Sequence, residues 1–288
     1  MATGTTEFID NTTADNSIPE HWSRRMIVAR EQRLVFEKRV DTGYKEAIAF
    51  GDTVHVGSLS NLAVRTKSAN TAITFETNTE TNTDIIINVD EYTAIAVENI
   101  TDLQSMLNLV EKYAPKMGYA LDLAVDDVLA GLIDDFSTNV VGTLAVGLSY
   151  ADLLEARQAL LDALVPDDDD WTIAVSPAQE AAWLQVDHFI NRDYTENLGV
   201  GKGFKGDRAY VGHWMNIPVY RSTNVEGSNA AGHDNAMFSR SSLALIKQMA
   251  PKTFTMFDID YLARKVASEQ VYGTKEMRDN HGVFMRGL

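Results

Sequence analysis

The sequence predicts an α+β fold, and three observations carry that reading. Residues 101–136 place apolar side chains at helical steps of three and four, through Leu103, Met106, Leu107, Val110, Ala114, Met117, Leu121, Ala124, Val125, Val128, Leu132 and Phe136. Before this stretch, Val54, Val56, Leu59, Val64, Ile73 and Phe75 stand at strand-like spacing among many Thr, Asn and Ser residues. After it, alternation returns between residues 237 and 285. A sheet so late in the chain pairs non-locally, which lays the long helix across it.

Composition narrows the function. The 288 residues suffice for one large or two modest domains, and 45% hydrophobic with 23% charged residues is ordinary for a globular chain. With no cysteine there is no disulfide, thiolate catalysis or zinc–thiolate site. The polar N-terminus lacks the basic-then-apolar order of a secretory signal. The longest nearly apolar run, residues 140–148, is too short to span a bilayer, so no membrane partner is expected. A net charge of −16 opposes general affinity for nucleic acid. The charge is uneven: residues 21–45 hold seven basic against three acidic residues, +4, which leaves −20 for the remainder.

Residues 1–20, rich in Thr, Asn, Asp and Ser, read as a mobile arm. Met26, Ile27, Arg30 and Leu34 then allow a short helix with an exposed basic face. Arg24, Arg25, Arg30 and Arg33 on that face are either simply solvated or in contact with an acidic partner. Residues 50–98 read as a long hairpin. The polar run at 77–84 is hairpin-tip chemistry, and Ile85, Ile87 and Val89 begin a strand that continues through Tyr92, Thr93, Ile95 and Val97 after a bulge. A two-stranded ribbon is marginal alone in water, and the chain offers it no obvious face. A neighbouring subunit is the natural cover, which makes Arg65, Lys67, Ile73, Phe75 and Glu76 candidate intersubunit contacts.

Thr101 and Gln104 form a capping box at the start of the long helix, and Pro115 predicts a kink or break near residues 113–118. A glycine-punctuated strand at 140–148 follows. Ser149 then caps a helix carried by Leu153, Leu154, Ala156, Leu160, Leu161 and Leu164 and ended by Val165-Pro166. The four aspartates at 167–170 lack the ligand spacing and glycine of a calcium loop and read as a solvated turn. Residues 171–175 form a buried strand, and Ser176-Pro177 opens a helix along which Ala181, Ala182, Leu184, Val186 and Phe189 sit. Met237 to Ile246 reads as one strand, Phe254 to Ile259 as another, Tyr272-Gly273 as a turn, and residues 282–285 as the last strand.

No constellation carries chemistry. Gly201, Gly203 and Gly206 satisfy GxGxxG, but a polar stretch precedes them and a strand pattern at 209–220 follows, the reverse of a dinucleotide fingerprint. Asp207 stands where a P-loop needs lysine. The six histidines are scattered, with no HExxH, and there is no GxSxG elbow. Asp126-Asp127 and Asp134-Asp135 are adjacent pairs, whose members point apart on a helix. Neither enzyme activity, cofactor nor metal is expected.

The order of parts resembles that of tailed-phage major capsid proteins: arm, extended ribbon, spine helix, inserted α/β lobe and closing sheet. The best stretches are Asp90-Glu91-Tyr92 leading to Val97-Glu98-Asn99-Ile100, the helix at 119–133 with Ala124, Asp127 and Leu132, and residues 171–177 before a helix. Ile217-Pro218-Val219, Val271-Tyr272-Gly273 and Val283-Phe284-Met285 are similar too. The resemblance implies an N-terminal arm at 1–45 and an E-loop at 46–98. It implies a peripheral domain from 99–148 with 251–288, containing the spine helix at 101–136, and an axial domain at 149–250. It places the loop of Gly199, Gly201, Gly203 and Gly206 near the capsomer centre. It further implies hexamers and pentamers in an icosahedral shell around double-stranded DNA, held only loosely. Scaffold, portal and decoration proteins are the implied partners, and the virion, assembled in the host cytoplasm, is the implied location. Some family members cross-link an E-loop lysine to a neighbour's asparagine; Lys67 stands in that loop, with no acceptor assigned. An encapsulin-like compartment shell shares the fold, and a two-lobed α/β enzyme is the alternative from another class. Sedimentation as a large particle or as a small oligomer separates shell from enzyme.

Overall fold

A computed structural model describes residues 31, 34–44, 51–59, 62–75, 77, 80–99, 109–166, 170–186 and 209–288. In chain order the elements are β1 (Thr53–Leu59), β2 (Glu80–Ile86), β3 (Val89–Glu98), α1 (Leu109–Gly131), β4 (Val140–Gly142), α2 (Tyr150–Asp162), β5 (Thr172–Val175) and α3 (Pro177–Trp183). There follow β6 (Tyr210–Trp214), β7 (Ile217–Arg221), β8 (Gly227–Ser228), β9 (Gly232–Phe238), β10 (Leu243–Asp258), β11 (Ala263–Glu276) and β12 (Gly282–Gly287).

A 7-stranded sheet, in the order β4-β12-β9-β5-β7-β6 with β8 beside β9, is covered on both faces. Strand alternation shows how. Ile173, Val175, Met237, Val283 and Met285 point to one side, into a core with Leu153, Ala156 and Leu160 of α2 and Trp183 of α3. Ala174, Ala236, Phe238 and Phe284 point to the other, into a core with Val125, Leu129 and Ala130 of α1. A 3-stranded antiparallel sheet, β10-β11-β3, extends beside it, and α1 also packs on β3 and β11. The long helix thus lies across strands that follow it in sequence, as expected.

Helix α1 buries Met117, Leu121 and Val125 of the expected stripe, and also Leu129 and Ala130, which the three-and-four stepping did not include. It runs unbroken through Pro115, against the predicted break. The first turns described are exposed, so the carbonyl that proline leaves without a donor reaches water. The helix ends at Gly131 rather than near 136, and its start at 101–108 lies outside the described residues.

Other expectations need correction. The strand at 140–148 stops at Gly142, whose φ of +82° turns the chain; a Cβ there would stand 2.4 Å from the Arg286 carbonyl oxygen. Helix α2 has the Ser149–Asp152 capping box, but only one side of its leucine stripe is used, since Leu154, Leu161 and Leu164 are exposed. Ser176 caps α3 as expected, yet Gln179 and Trp183 are its buried residues. The Gln179 amide accepts from Leu148 N at 2.9 Å and Leu288 N at 3.2 Å. Met237 and Phe238 belong to β9, whereas Leu243 onward is one 16-residue strand through Asp258. Tyr272-Gly273 is no turn but the interior of β11. Gly273 is required there because a Cβ would meet the Ile86 carbonyl oxygen at 2.4 Å, a close backbone approach that sequence cannot distinguish from a turn.

Residues 34–44 are stitched into this body. Phe36 and Val40 are buried in the α1 core, and Phe36–Lys38 forms a 3-10 turn. Asp126 of α1 is fully buried and caps that turn. Its Oδ1 accepts from Val35 N at 3.1 Å, Phe36 N at 2.8 Å and Glu37 N at 3.4 Å, and its Oδ2 from Asn224 Nδ2 at 2.9 Å. Burial pushes the Asp126 pKa up, and these donors draw it back. Lys247 of β10 adds an ion pair to Glu37 at 2.5 Å, with Asp122 of α1 at 3.8 Å. Asp127, next along the helix, is exposed. Replacing Asp126 with Ala orphans three backbone N–H groups and should cost about 3 kcal/mol or more in urea unfolding, with Asn, which keeps an acceptor, costing less.

Candidate assembly surfaces

The hairpin expected at 50–98 is present but built differently. β1 and β2 pair in register from Thr53↔Ile86 to Leu59↔Glu80. The polar run at 80–84 is therefore strand, and the tip lies between 59 and 80. The run reads as turn chemistry, but its threonines are β-branched and fit an exposed strand as well. The base of the ribbon does have a face in its own subunit, contrary to expectation. Ile85 and Ile87 are buried with Ala244 and Ile246, flanked by Val54, Val56, Val271 and Met277. Further out, His55 lies across from Asp84, Nδ1 to Oδ1 at 2.5 Å, with Asn82 donating to the same oxygen at 2.6 Å. This polar cross-strand pairing is solvent-facing and contributes little to stability.

The described residues from 62 to 75 are all exposed, including Leu62, Val64, Arg65 and Lys67, with Ile73 at 60% and Phe75 at 85% of their full exposure. Four apolar side chains thus stand in water on one projecting loop, an arrangement that marks an interaction surface. Glu76 lies outside the described residues, as do Arg24, Arg25, Arg30, Arg33 and the glycine loop of Gly199, Gly201, Gly203 and Gly206.

A second apolar surface escaped the sequence reading. The far ends of β10 and β11 expose Phe254, Met256, Phe257, Ile259, Tyr261 and Leu262. Phe254, Met256 and Val266 line a shallow groove with Ile95 of β3. Lys265 hydrogen-bonds Asp258 across the hairpin and lies 5.1 Å from the Tyr261 ring centroid. That hydrogen bond holds the Asp258 carboxyl below its ordinary range. The legible signal was the density of large apolar residues at both strand parities between 254 and 262, where a half-buried strand alternates.

Among the described residues no group of His, Cys, Asp or Glu is placed to hold a metal. A family model described as phage capsid protein matches residues 91–287, more than half of the chain. The chain belongs to the phage capsid protein family. It is a shell component of the virion, not an enzyme. No curated protein matches it by sequence. Solved structures agree on the fold. A structure titled Mycobacterium phage Che8 superposes with a TM-score of 0.76 at 19% identity, covering 93% of this chain and 96% of the other. The capsid structure of the cyanophage P-SCSP1u gives 0.76 at 15% identity, covering 99% and 95%. The capsid of Ralstonia phage GP4 gives 0.69 at 12% identity, covering 99% and 98%. At such identities the likeness carries the fold alone, which is the α+β fold of major capsid proteins.

Because the loop side chains touch so little of their own subunit, Ile73→Ser with Phe75→Ser should leave the unfolding free energy of this capsid subunit within about 0.5 kcal/mol of wild type. A loss of 2 kcal/mol or more in denaturant unfolding would mean that they pack on their own chain.

Proposed function

We propose that the chain builds an icosahedral shell of hexamers and pentamers around the double-stranded DNA of a tailed phage, with the loop at 59–80 as its reaching contact between subunits. The observation that carries this reading is the ribbon itself: its base is covered by its own subunit, whereas its tip presents Leu62, Val64, Ile73 and Phe75 to water. A second copy of the chain supplies apolar surface of the matching kind at the far end of β10 and β11. Projection and receptor lie on different parts of one chain, so the contact is heterologous and closes into rings when the rotation allows. Arg65 and Lys67 would meet the acidic body of a neighbour, which carries most of the net charge of −16.

In the same reading, 1–45 is the N-terminal arm, 46–98 the E-loop, 99–148 with 251–288 the peripheral domain, and 149–250 the axial domain, with its glycine loop at the capsomer centre. The 7-stranded sheet joins β4 and β12 to the strands of 149–250, so it runs across the proposed boundary and makes one body of the two lobes. Scaffold and portal proteins would direct closure of the shell. The acidic balance keeps the subunit from holding packaged DNA tightly.

The register supplies the test. Leu59 faces Glu80, so residues 60–79 can be replaced by a two-residue Asn-Gly turn without disturbing the strands. The variant should unfold cooperatively near the wild-type temperature and form no closed shells in negative-stain micrographs. Normal shells from the variant, or its failure to fold, would contradict the assignment of this loop to intersubunit contact.

A further inference from the structure

Strand β10 is the end strand of the 3-stranded sheet and has β11 on one side only. Its outer edge is covered at the start, where Leu243 O and Leu245 N hydrogen-bond Asp41 and Gln248 Nε2 donates to Gly51 O at 3.0 Å. The next stretch is protected differently. The register with β11 shifts twice between Lys247 and Lys252, and Pro251 has no N–H to offer a further strand. From Lys252 to Asp258 neither device continues. Pairing is regular from Lys252↔Glu269 to Asp258↔Ala263, and residues 252–257 are all exposed. Among the described residues, only β11 hydrogen-bonds the backbone of this run. Its centre, Thr253-Phe254-Thr255-Met256-Phe257, is uncharged, free of proline and made of residues that favour strands. Natural sheets avoid leaving such an edge bare, because it is a template for another strand.

The ends of the run say which strand fits. Lys252 stands at one end and Asp258 at the other. A second copy laid antiparallel along the same edge, with a two-fold axis through Thr255, sets Lys252 of each copy opposite Asp258 of the other. It also sets Phe254 opposite Met256, and Thr255 opposite itself. Each of these pairs joins positions of one parity, so the backbone groups that β11 leaves pointing outward on one copy meet the outward groups of the other. A register displaced by one residue would set outward groups against groups already used by β11. A register displaced by two would keep the ladder but part the opposite charges. Each charge also has a neighbour in its own hairpin: Lys252 Nζ lies 5.1 Å from the Phe254 ring centroid, and Asp258 accepts from Lys265.

We propose that the β10 edge from Lys252 to Asp258 is a strand-pairing site for the same edge of a second copy, joining two 3-stranded sheets into one across a two-fold axis. This isologous contact uses backbone groups along the edge of the sheet. The loop contact proposed above is heterologous and uses apolar side chains, so one subunit can make both and each is tested by itself.

The absence of cysteine supplies the test. In the full-length subunit, Thr255→Cys puts a single thiol on the proposed axis, where directly opposite Cα atoms stand about 4.5–5.5 Å apart, within reach of a disulfide. Thr253→Cys, on the same face of the strand, puts the thiol off the axis, with its mate about 13 Å further along the strand. Oxidation with copper–phenanthroline should give disulfide-linked dimers about tenfold or more faster from Thr255→Cys than from Thr253→Cys. Equal rates at the two positions, or no dimer from Thr255→Cys, overturn the proposal. Adding Lys252→Glu to Thr255→Cys sets carboxylates opposite each other on both sides of the axis and should slow dimer formation severalfold; an unchanged rate also overturns it. Negative-stain micrographs of the same samples score shells, so failure of the loop contact shows as missing shells and failure of the edge contact as missing dimers.

Discussion

One buried carboxylate joins three parts of this subunit that lie about ninety or more positions apart in sequence. Asp126 projects from α1, receives three backbone N–H groups from residues 35–37 and one amide from Asn224, and is fully shielded from water. A carboxylate in such a place is tolerable only because each lone-pair direction has a donor. Its position fixes where the 34–44 segment crosses the helix, and that crossing delivers Phe36 and Val40 to the core shared by α1 and the 7-stranded sheet. From there Asp41 continues onto β10 through two backbone hydrogen bonds with Leu243 and Leu245. Arg39 reaches β7, lying 4.4 Å above the Tyr220 ring. The eleven residues 34–44 thus tie a helix, two sheets and the loop after β7 into one body.

That body is self-sufficient in a way the ribbon is not. Both faces of the 7-stranded sheet are buried, and α1 is covered on one face from Met117 onward. The ribbon shares in this only at its base, where Gly273 lets the backbone at Ile86 come close and Ile85 and Ile87 enter a small satellite core. Past Leu59 the strand pairing ends, the chain continues for twenty residues before Glu80, and the described residues from 62 to 75 are exposed. Ordering that much backbone opposes folding, and exposed side chains return nothing for it. In the proposed shell this division is useful, since the surface left uncovered in the free subunit is the surface that would join the next.

Local pattern made the elements legible and left their partners hidden. The period of α1, the Ser149 and Ser176 caps and the short buried β5 could be read because each depends on neighbours within a few residues. The pairing of β3 with β11, separated by the whole inserted lobe, could not. Gly273 read as a turn because glycine marks both turns and close approaches, and only the position of Ile86 tells them apart. Asp126 read as one of two adjacent helical acids with no assigned task, since its role depends on backbone amides ninety positions away. On the ribbon, exposed Ile73 and Phe75 could be singled out because few apolar residues surround them in sequence. Phe254 to Leu262 were missed because an exposed apolar strand end resembles a core strand until its neighbours are known.

The central claim is that the subunit body orders itself whereas its loop is ordered by a neighbour. Hydrogen exchange measured on free subunits and on assembled shells tests this directly. Amides of residues 62–75 should exchange near their intrinsic rates in the free subunit and become strongly protected in the shell, while those of α1 are protected in both. Equal protection of the loop before and after assembly would contradict the account.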